Sequence, residues 1–265
     1  MNIRRLIVIF FLALACFSIA PCYASETNII TQADSAYSTE QYTKAIELYN
    51  KAIAETGTSS DLYYNLGNAY YKNGDLGKAV VNFHRSLKLN PTNDEAKQNI
   101  RFLKTKLIDK VGESGSFFSN TFDSFTNIAS SNTWAWISLT LFLLTMAGTA
   151  LYLFGNIVAL RKIGFFGGIV CIIMTCMGIS LSIHAHSLSV ATDKAVIIVP
   201  STILSTSPRQ PKDRNEEAML LHEGTLVKII DTVTSGSGSN AVKWHEVEVD
   251  NSHRAWIKSS DIEII

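Results

Sequence analysis

Asp123 and Asp193 are consecutive acidic residues, so 69 positions between them carry no Asp or Glu, and Arg161 and Lys162 are the only formal charges there. Soluble domains average ~25% charged residues, so this stretch cannot form the surface of a water-soluble globule. Residues 134–155 and 163–185 are each predominantly apolar and hold no Asp, Glu, Lys or Arg. At ~1.5 Å of rise per residue, each is long enough for the ~30 Å hydrocarbon layer. Trp134, Trp136 and Tyr152 lie near the ends of the first run, where interfacial aromatics belong. The expectation is a two-helix transmembrane hairpin joined by a turn at residues 156–162. Arg161 and Lys162 in that turn place it in the cytoplasm by the positive-inside rule and send both flanking segments to the other side.

The first 24 residues agree with that topology. Residues 1–24 read as a secretory signal: Arg4 and Arg5 form a positive start, residues 6–15 an apolar run, and Cys22-Tyr23-Ala24 a small-residue cleavage site before Ser25. Lipidation at Cys16 and an uncleaved anchor are the alternatives. Of the four cysteines, Cys16 and Cys22 lie in this segment and Cys171 and Cys176 in the second apolar run. The exported segments therefore hold none and can form no disulfide. Cys171 and Cys176 are five apart, off a common helical face, and read as packing residues. The balance of 23 basic against 23 acidic residues leaves no basic footprint for nucleic acid.

Residues 25–111 repeat with a shift of 34, pairing Ala33 with Gly67, Ala45 with Ala79, Tyr49 with Phe83 and Ala52 with Ser86 without a gap. That period marks antiparallel helix pairs. The second copy, SDLYYNLGNAYYKNGDLGKAVVNFHRSLKLNPTN, resembles the tetratricopeptide consensus at Leu66, Gly67, Tyr70, Gly74, Ala79, Phe83, Leu87 and Pro91. Small Gly67 and Ala79 admit close helix approach, Asn73-Gly74-Asp75 supplies the turn, and Pro91 ends the second helix. The repeats fall at 26–59 and 60–93. In the first, Glu40 replaces the turn glycine. A capping helix at 94–110 carries Ala96, Ile100, Leu103 and Leu107 on one stripe. Two repeats and a cap fall short of the roughly three a solenoid needs. Either the cap completes the core or another copy or protein stacks upon it.

The resemblance implies that a protein or peptide binds the concave face of the first helices. At the matching positions that face presents Asp34, Tyr37, Tyr64, Asn68, Tyr71 and Lys72; the alternative is ordinary solvated helix positions. Some relatives grip a C-terminal carboxylate, but the corresponding places here hold Ile30, Asp34, Asn68, Gln98 and Phe102, and only Asn68 fits.

Residues 112–133 are rich in Ser, Asn, Thr and Phe. Phe118, Phe122, Phe125 and Ala129 form one helical stripe, which suits a short amphipathic helix on the outer leaflet; a flexible tether is the alternative. Residues 193–265 switch to short β-branched and aromatic runs separated by turn formers such as Ser235-Gly236-Ser237-Gly238, and five strands are expected. The string LHEGTLVKIID…WHEVEV…RAWIKSSDIEII resembles a bacterial SH3-like domain, a small all-β barrel. The resemblance has His222-Glu223-Gly224 turning into a core strand. Trp244 and Trp256 are either core residues or ligand-stacking aromatics. Arg254 occupies the usual glycine position before the second Trp. Pro208-Arg209-Gln210-Pro211 reads as a chance PxxP match in the long first loop.

No nucleophile–base pair, phosphate loop or metal cluster is recognisable. His184 and His186, two apart on a helix, diverge and read as interfacial anchors. No catalytic, cofactor-binding or metal-binding residue is assigned. The fold class is a multi-domain membrane protein: all-α tetratricopeptide repeats, a transmembrane hairpin and an all-β SH3-like barrel. This order of parts resembles the BatE-type proteins of the Bacteroidetes aerotolerance operon. That resemblance implies an inner-membrane scaffold with both soluble domains periplasmic, working beside other membrane proteins of the operon, some with von Willebrand factor A domains, and a MoxR-type ATPase. The alternative is a sensor or tether whose SH3-like domain binds peptidoglycan.

Overall fold

The computed structural model describes residues 28–110, 117–236 and 241–265. The signal at 1–24, the start of the 112–133 segment and the end of the Ser235–Gly238 turn lie outside the described residues.

Five helices open the described chain: α1 (Asn28–Ser38), α2 (Tyr42–Thr56), α3 (Ser60–Asn73), α4 (Leu76–Leu89) and α5 (Asp94–Lys106). Their ends follow local chemistry. Ser59 caps α3 by accepting from Leu62 N at 3.1 Å, and Asn93 caps α5 by accepting from Ala96 N at 3.0 Å. Gly74 closes α3 at φ +95°, a left-handed conformation that costs glycine nothing. The equivalent place after α1 holds Glu40 at φ +60°, where a Cβ is strained. Small residues set the spacing: Ala33, Ala45, Ala52 and Ala69 are fully buried around Tyr49 and Leu66. A Cβ on Gly67 would stand 2.9 Å from the Phe83 ring, so α3 and α4 touch only because Gly67 has none.

After α6 (Phe117–Thr126) come α7 (Ser131–Phe154) and α8 (Val158–Val190), which pair along their length. Both are long and apolar enough to cross a membrane. Their contact uses small and hydroxylated residues, as helices packing in lipid do. A Cβ on Gly164 would lie 2.5 Å from Gly148 O and 2.8 Å from Tyr152 N. At the other end Ser131 and Ser182 each donate to the other's backbone carbonyl at 3.0 Å. The connection is shorter than the sequence suggests: Arg161 and Lys162 lie within the start of α8 rather than in a loop. Apolar Ile157 and Val158 let the helix begin before the charges, and Arg161 Nε folds back to Gly155 O at 2.8 Å.

The last segment is an antiparallel sheet of seven strands, not five: β1 (Lys194–Ile197), β2 (Ser201–Ser205), β3 (Glu217–His222), β4 (Leu226–Ser235), β5 (Val242–Asp250), β6 (His253–Lys258) and β7 (Ile262–Ile264), in the order β3-β2-β6-β5-β4-β1-β7. Three of the strands have weak local signals. Serines flank β2, β3 lacks β-branched residues, and β7 has three residues, so pairing rather than propensity fixes them. Ala195, Ile197, Leu204, Leu221, Val227, Val247, Val249, Ala255, Ile257 and Ile262 fill the core.

The sheet and the repeats share a second core. Val196, fully buried on the opposite face of β1 from Ile197, shares one cluster with Ala79, Val80, Val81 and Phe83 of α4 and Ala96, Ile100 and Leu103 of α5; Ile198, Leu226 and Ile265 join from the β side. Polar contacts frame it. Arg85 pairs with Glu263 at 2.6 Å and donates to Ile264 O at 2.7 Å. Lys88 Nζ donates to the backbone oxygens of Ala191 and Ile265. Gly77 N donates to Glu223 Oε2 at 3.2 Å, and a Cβ on Gly77 would come 2.7 Å from Ile197 O. The unfinished solenoid is thus closed by both α5 and the β-domain. The same contact ends α5 at Lys106, short of Lys110: Asp109 turns away to accept from His222 N at 2.6 Å and Thr225 Oγ1 at 2.7 Å.

Candidate functional site

The first helices of the repeats, α1, α3 and α5, carry a strip of aromatic rings. Tyr37 meets Tyr42 edge-on at 5.7 Å, Tyr64 leans on Phe83 at 5.9 Å, and Tyr71 meets Phe102 edge-on at 5.9 Å. All three tyrosines are partly exposed, so each offers a ring face or hydroxyl to a ligand while its far edge packs. Burial, with help from Tyr42 and Tyr64, pushes the Tyr37 hydroxyl above its usual pKa, which keeps it a neutral donor. Asn68 accepts from Asn99 Nδ2 at 2.9 Å and locks α3 to α5. Lys72 is exposed at the end of α3.

Of the six residues expected on this face, Asp34 is exposed and also makes a bond into the repeat. It accepts from the buried Tyr49 hydroxyl at 2.6 Å; burial first and this bond second drive the Tyr49 pKa far above its normal value. Two residues join the strip from α5: Phe102, nearly half exposed, and Lys106, whose Nζ stands 5.0 Å from the Phe102 ring centroid. The 34-residue period reveals both, since it pairs Asn68 with Phe102 and Lys72 with Lys106 when extended into the cap. Chemically the face offers aromatic surface, amides and lysines, a set that holds a peptide by stacking and hydrogen bonding and contains no nucleophile–base pair.

The two β-domain tryptophans lie on the sheet face opposite the core. Trp244 is opposite Lys258 in the ladder and Trp256 opposite Glu246, while His245, Val247, Ala255 and Ile257 point inward. Trp244 is only 4% exposed, with Lys258 Nζ 5.9 Å from its ring centroid and bonded to Gln210 of the PxxP loop. Trp256 alone of the pair presents surface. Arg254 reaches toward Glu248 at 3.9 Å. His245 bridges Thr232 and Ser259 and is buried, which lowers its pKa; Lys243 adds to the effect. Near the end of the hairpin His184 Nε2 lies 2.8 Å from Asp123, whereas His186 is exposed. Arg161 and Lys162 are both exposed.

The model of the tetratricopeptide repeat family matches residues 60–93, and a second, described as TPR repeat, matches residues 33–74. Residues 33–93 are tetratricopeptide repeats. No curated protein matches the chain. Tetratricopeptide repeats are non-catalytic protein-interaction modules, and the aromatic strip lies on the helices such modules use to hold partners.

Proposed function

We propose that the protein is a non-enzymatic membrane scaffold. Its tetratricopeptide groove takes an extended peptide or partner protein; α7 and α8 anchor it as a transmembrane pair; the β-domain, an SH3-like barrel in this reading, braces the groove. Tyr37, Tyr64, Asn68, Tyr71 and Lys72 are the contact residues, joined by Phe102 and Lys106. The observation that carries this reading is the partly exposed strip across α1, α3 and α5, while the β-domain makes its main helix contacts with α4.

The contact between the segments before and after the hairpin supports placing both on one side of the bilayer. Arg161 and Lys162 at the junction of the two spans support reading that side as the periplasm. The order of parts supports membership of a BatE-type aerotolerance complex. Peptidoglycan tethering through the β-domain gains less support, because Trp244 is buried and β7 faces α4.

The test is co-purification from native membranes with Asn68→Ala combined with Lys72→Glu. Loss of a partner retained by the unmodified chain supports the groove. An unchanged partner set contradicts it. Protease added to spheroplasts should cleave both soluble segments, and protection of either refutes the orientation.

A further inference from the structure

We propose that α6 lies flat in the outer interface of the bilayer with its Phe122 and Phe125 side, and Ile128 in the turn after it, embedded in lipid. The proposal rests on the reading of α7 and α8 as membrane spans.

The contacts of α6 fix its depth. Asp123 holds His184 at 2.8 Å, and the Phe122 ring packs on the same imidazole at 4.9 Å. Trp134 Nε1 donates to Thr126 O at 2.9 Å, and Phe125 neighbours the Trp134 ring at 6.1 Å. A carboxylate–imidazole pair belongs where water begins, because a charge in hydrocarbon is costly. From Lys162, the cytoplasmic marker, about 22 residues of α8 lead to His184, a rise of roughly 33 Å. The hydrocarbon layer is ~30 Å thick, so the Asp123–His184 pair falls at its far boundary and α6 lies at that level.

The uncovered side of α6 matches that position. Phe122 and Phe125 are each 47% exposed and Ile128 and Trp136 each 62%, continuous with the exposed apolar flanks of α7 and α8. Trp136 favours this layer, and Phe residues suit the buried face of an interfacial helix. With no Lys or Arg in Phe117–Thr126, adsorption draws on apolar burial and not on anionic headgroups. The helix would therefore act as a collar that sets the height of the repeats above the membrane.

The test uses the full chain with its four cysteines replaced by alanine, reconstituted in vesicles of phosphatidylcholine alone or with phosphatidylglycerol. Single probes enter through Phe125→Cys, Ser124→Cys on the polar side, and Leu144→Cys in the span. A lipid-borne spin label should quench position 125 several-fold more than position 124, with aqueous iodide giving the reverse order, equally in both lipids. Iodide quenching at 125 with lipid quenching intact at 144 would overturn the proposal. Shielding of 125 from both quenchers would mean that protein covers this face, and would overturn it too. Iodide access at 144 would refute the membrane reading on which the collar depends.

Discussion

Asp109 and His222 are 113 residues apart, on either side of the apolar hairpin, yet one carboxylate receives both the backbone N–H of His222 at 2.6 Å and its ring Nδ1 at 3.0 Å. Thr225 adds a third bond at 2.7 Å. Burial alone would raise the Asp109 pKa, but the three donors outweigh it and hold the carboxyl below its usual range. A depressed carboxylate stabilises the fold above its unfolded pKa, ~3.9, and that contribution is lost as pH falls further. Asp109→Ala should cost about 2–4 kcal/mol, since it strands three donors bonded to a charge. Urea unfolding of the reconstituted chain measures this. A cost within error of zero would mean that the contact does not hold the domains together.

Gly67 lets α3 and α4 come into close contact. Gly67→Ala should destabilise the repeats by about 1–3 kcal/mol, because the added Cβ overlaps the fully buried Phe83 ring. Gly67→Ala with Phe83→Leu should recover part of the loss. No rescue would place the strain elsewhere.

Glu40 holds the backbone conformation that Gly74 adopts in the second repeat, at φ +60° against +95°. Glu40→Gly should therefore stabilise the first repeat by up to about 1 kcal/mol, relief of left-handed strain (~1–2 kcal/mol) being offset by glycine's unfolded-state entropy. Thermal unfolding followed by circular dichroism reads the sign, and a fall in Tm would contradict this account.

His84 lies where α4 meets α5 and β1. Burial, then the charges of Lys104 and Lys194, lower its pKa to about 4. Because the folded pKa lies below the unfolded ~6.5, the neutral ring's contribution is complete above pH 6.5 and declines as pH drops toward 4. At ~1.36 kcal/mol per unit, the loss approaches roughly 3 kcal/mol below pH 4. His84→Gln should flatten the stability profile between pH 6.5 and 4. An identical acid slope in both proteins would show that His84 does not titrate in this way.

Periodic features were legible in the sequence: the 34-residue repeat, the two apolar runs, and the small residues Gly67 and Ala79 opposite large ones. The contact between domains was not. Val196 reads as a strand residue whichever face it covers, and nothing local says that its outward side meets α4 rather than water. Arg85 and Glu263 look like ordinary surface charges until folding brings them within 2.6 Å. The same holds at the groove, where Asp34 matches a ligand-facing position and also accepts from the Tyr49 hydroxyl. Long-range pairing assigned these roles, and sequence period is blind to it.

The central claim is that the repeats and the β-domain share one hydrophobic core through Val196. Native-state hydrogen exchange on the reconstituted full chain, across increasing urea, tests it most directly. The account expects amides of α4 and of β1 to open with the same free energy and the same denaturant dependence. Exchange of α4 while β1 stays protected, or the reverse, would show two independent units and contradict it.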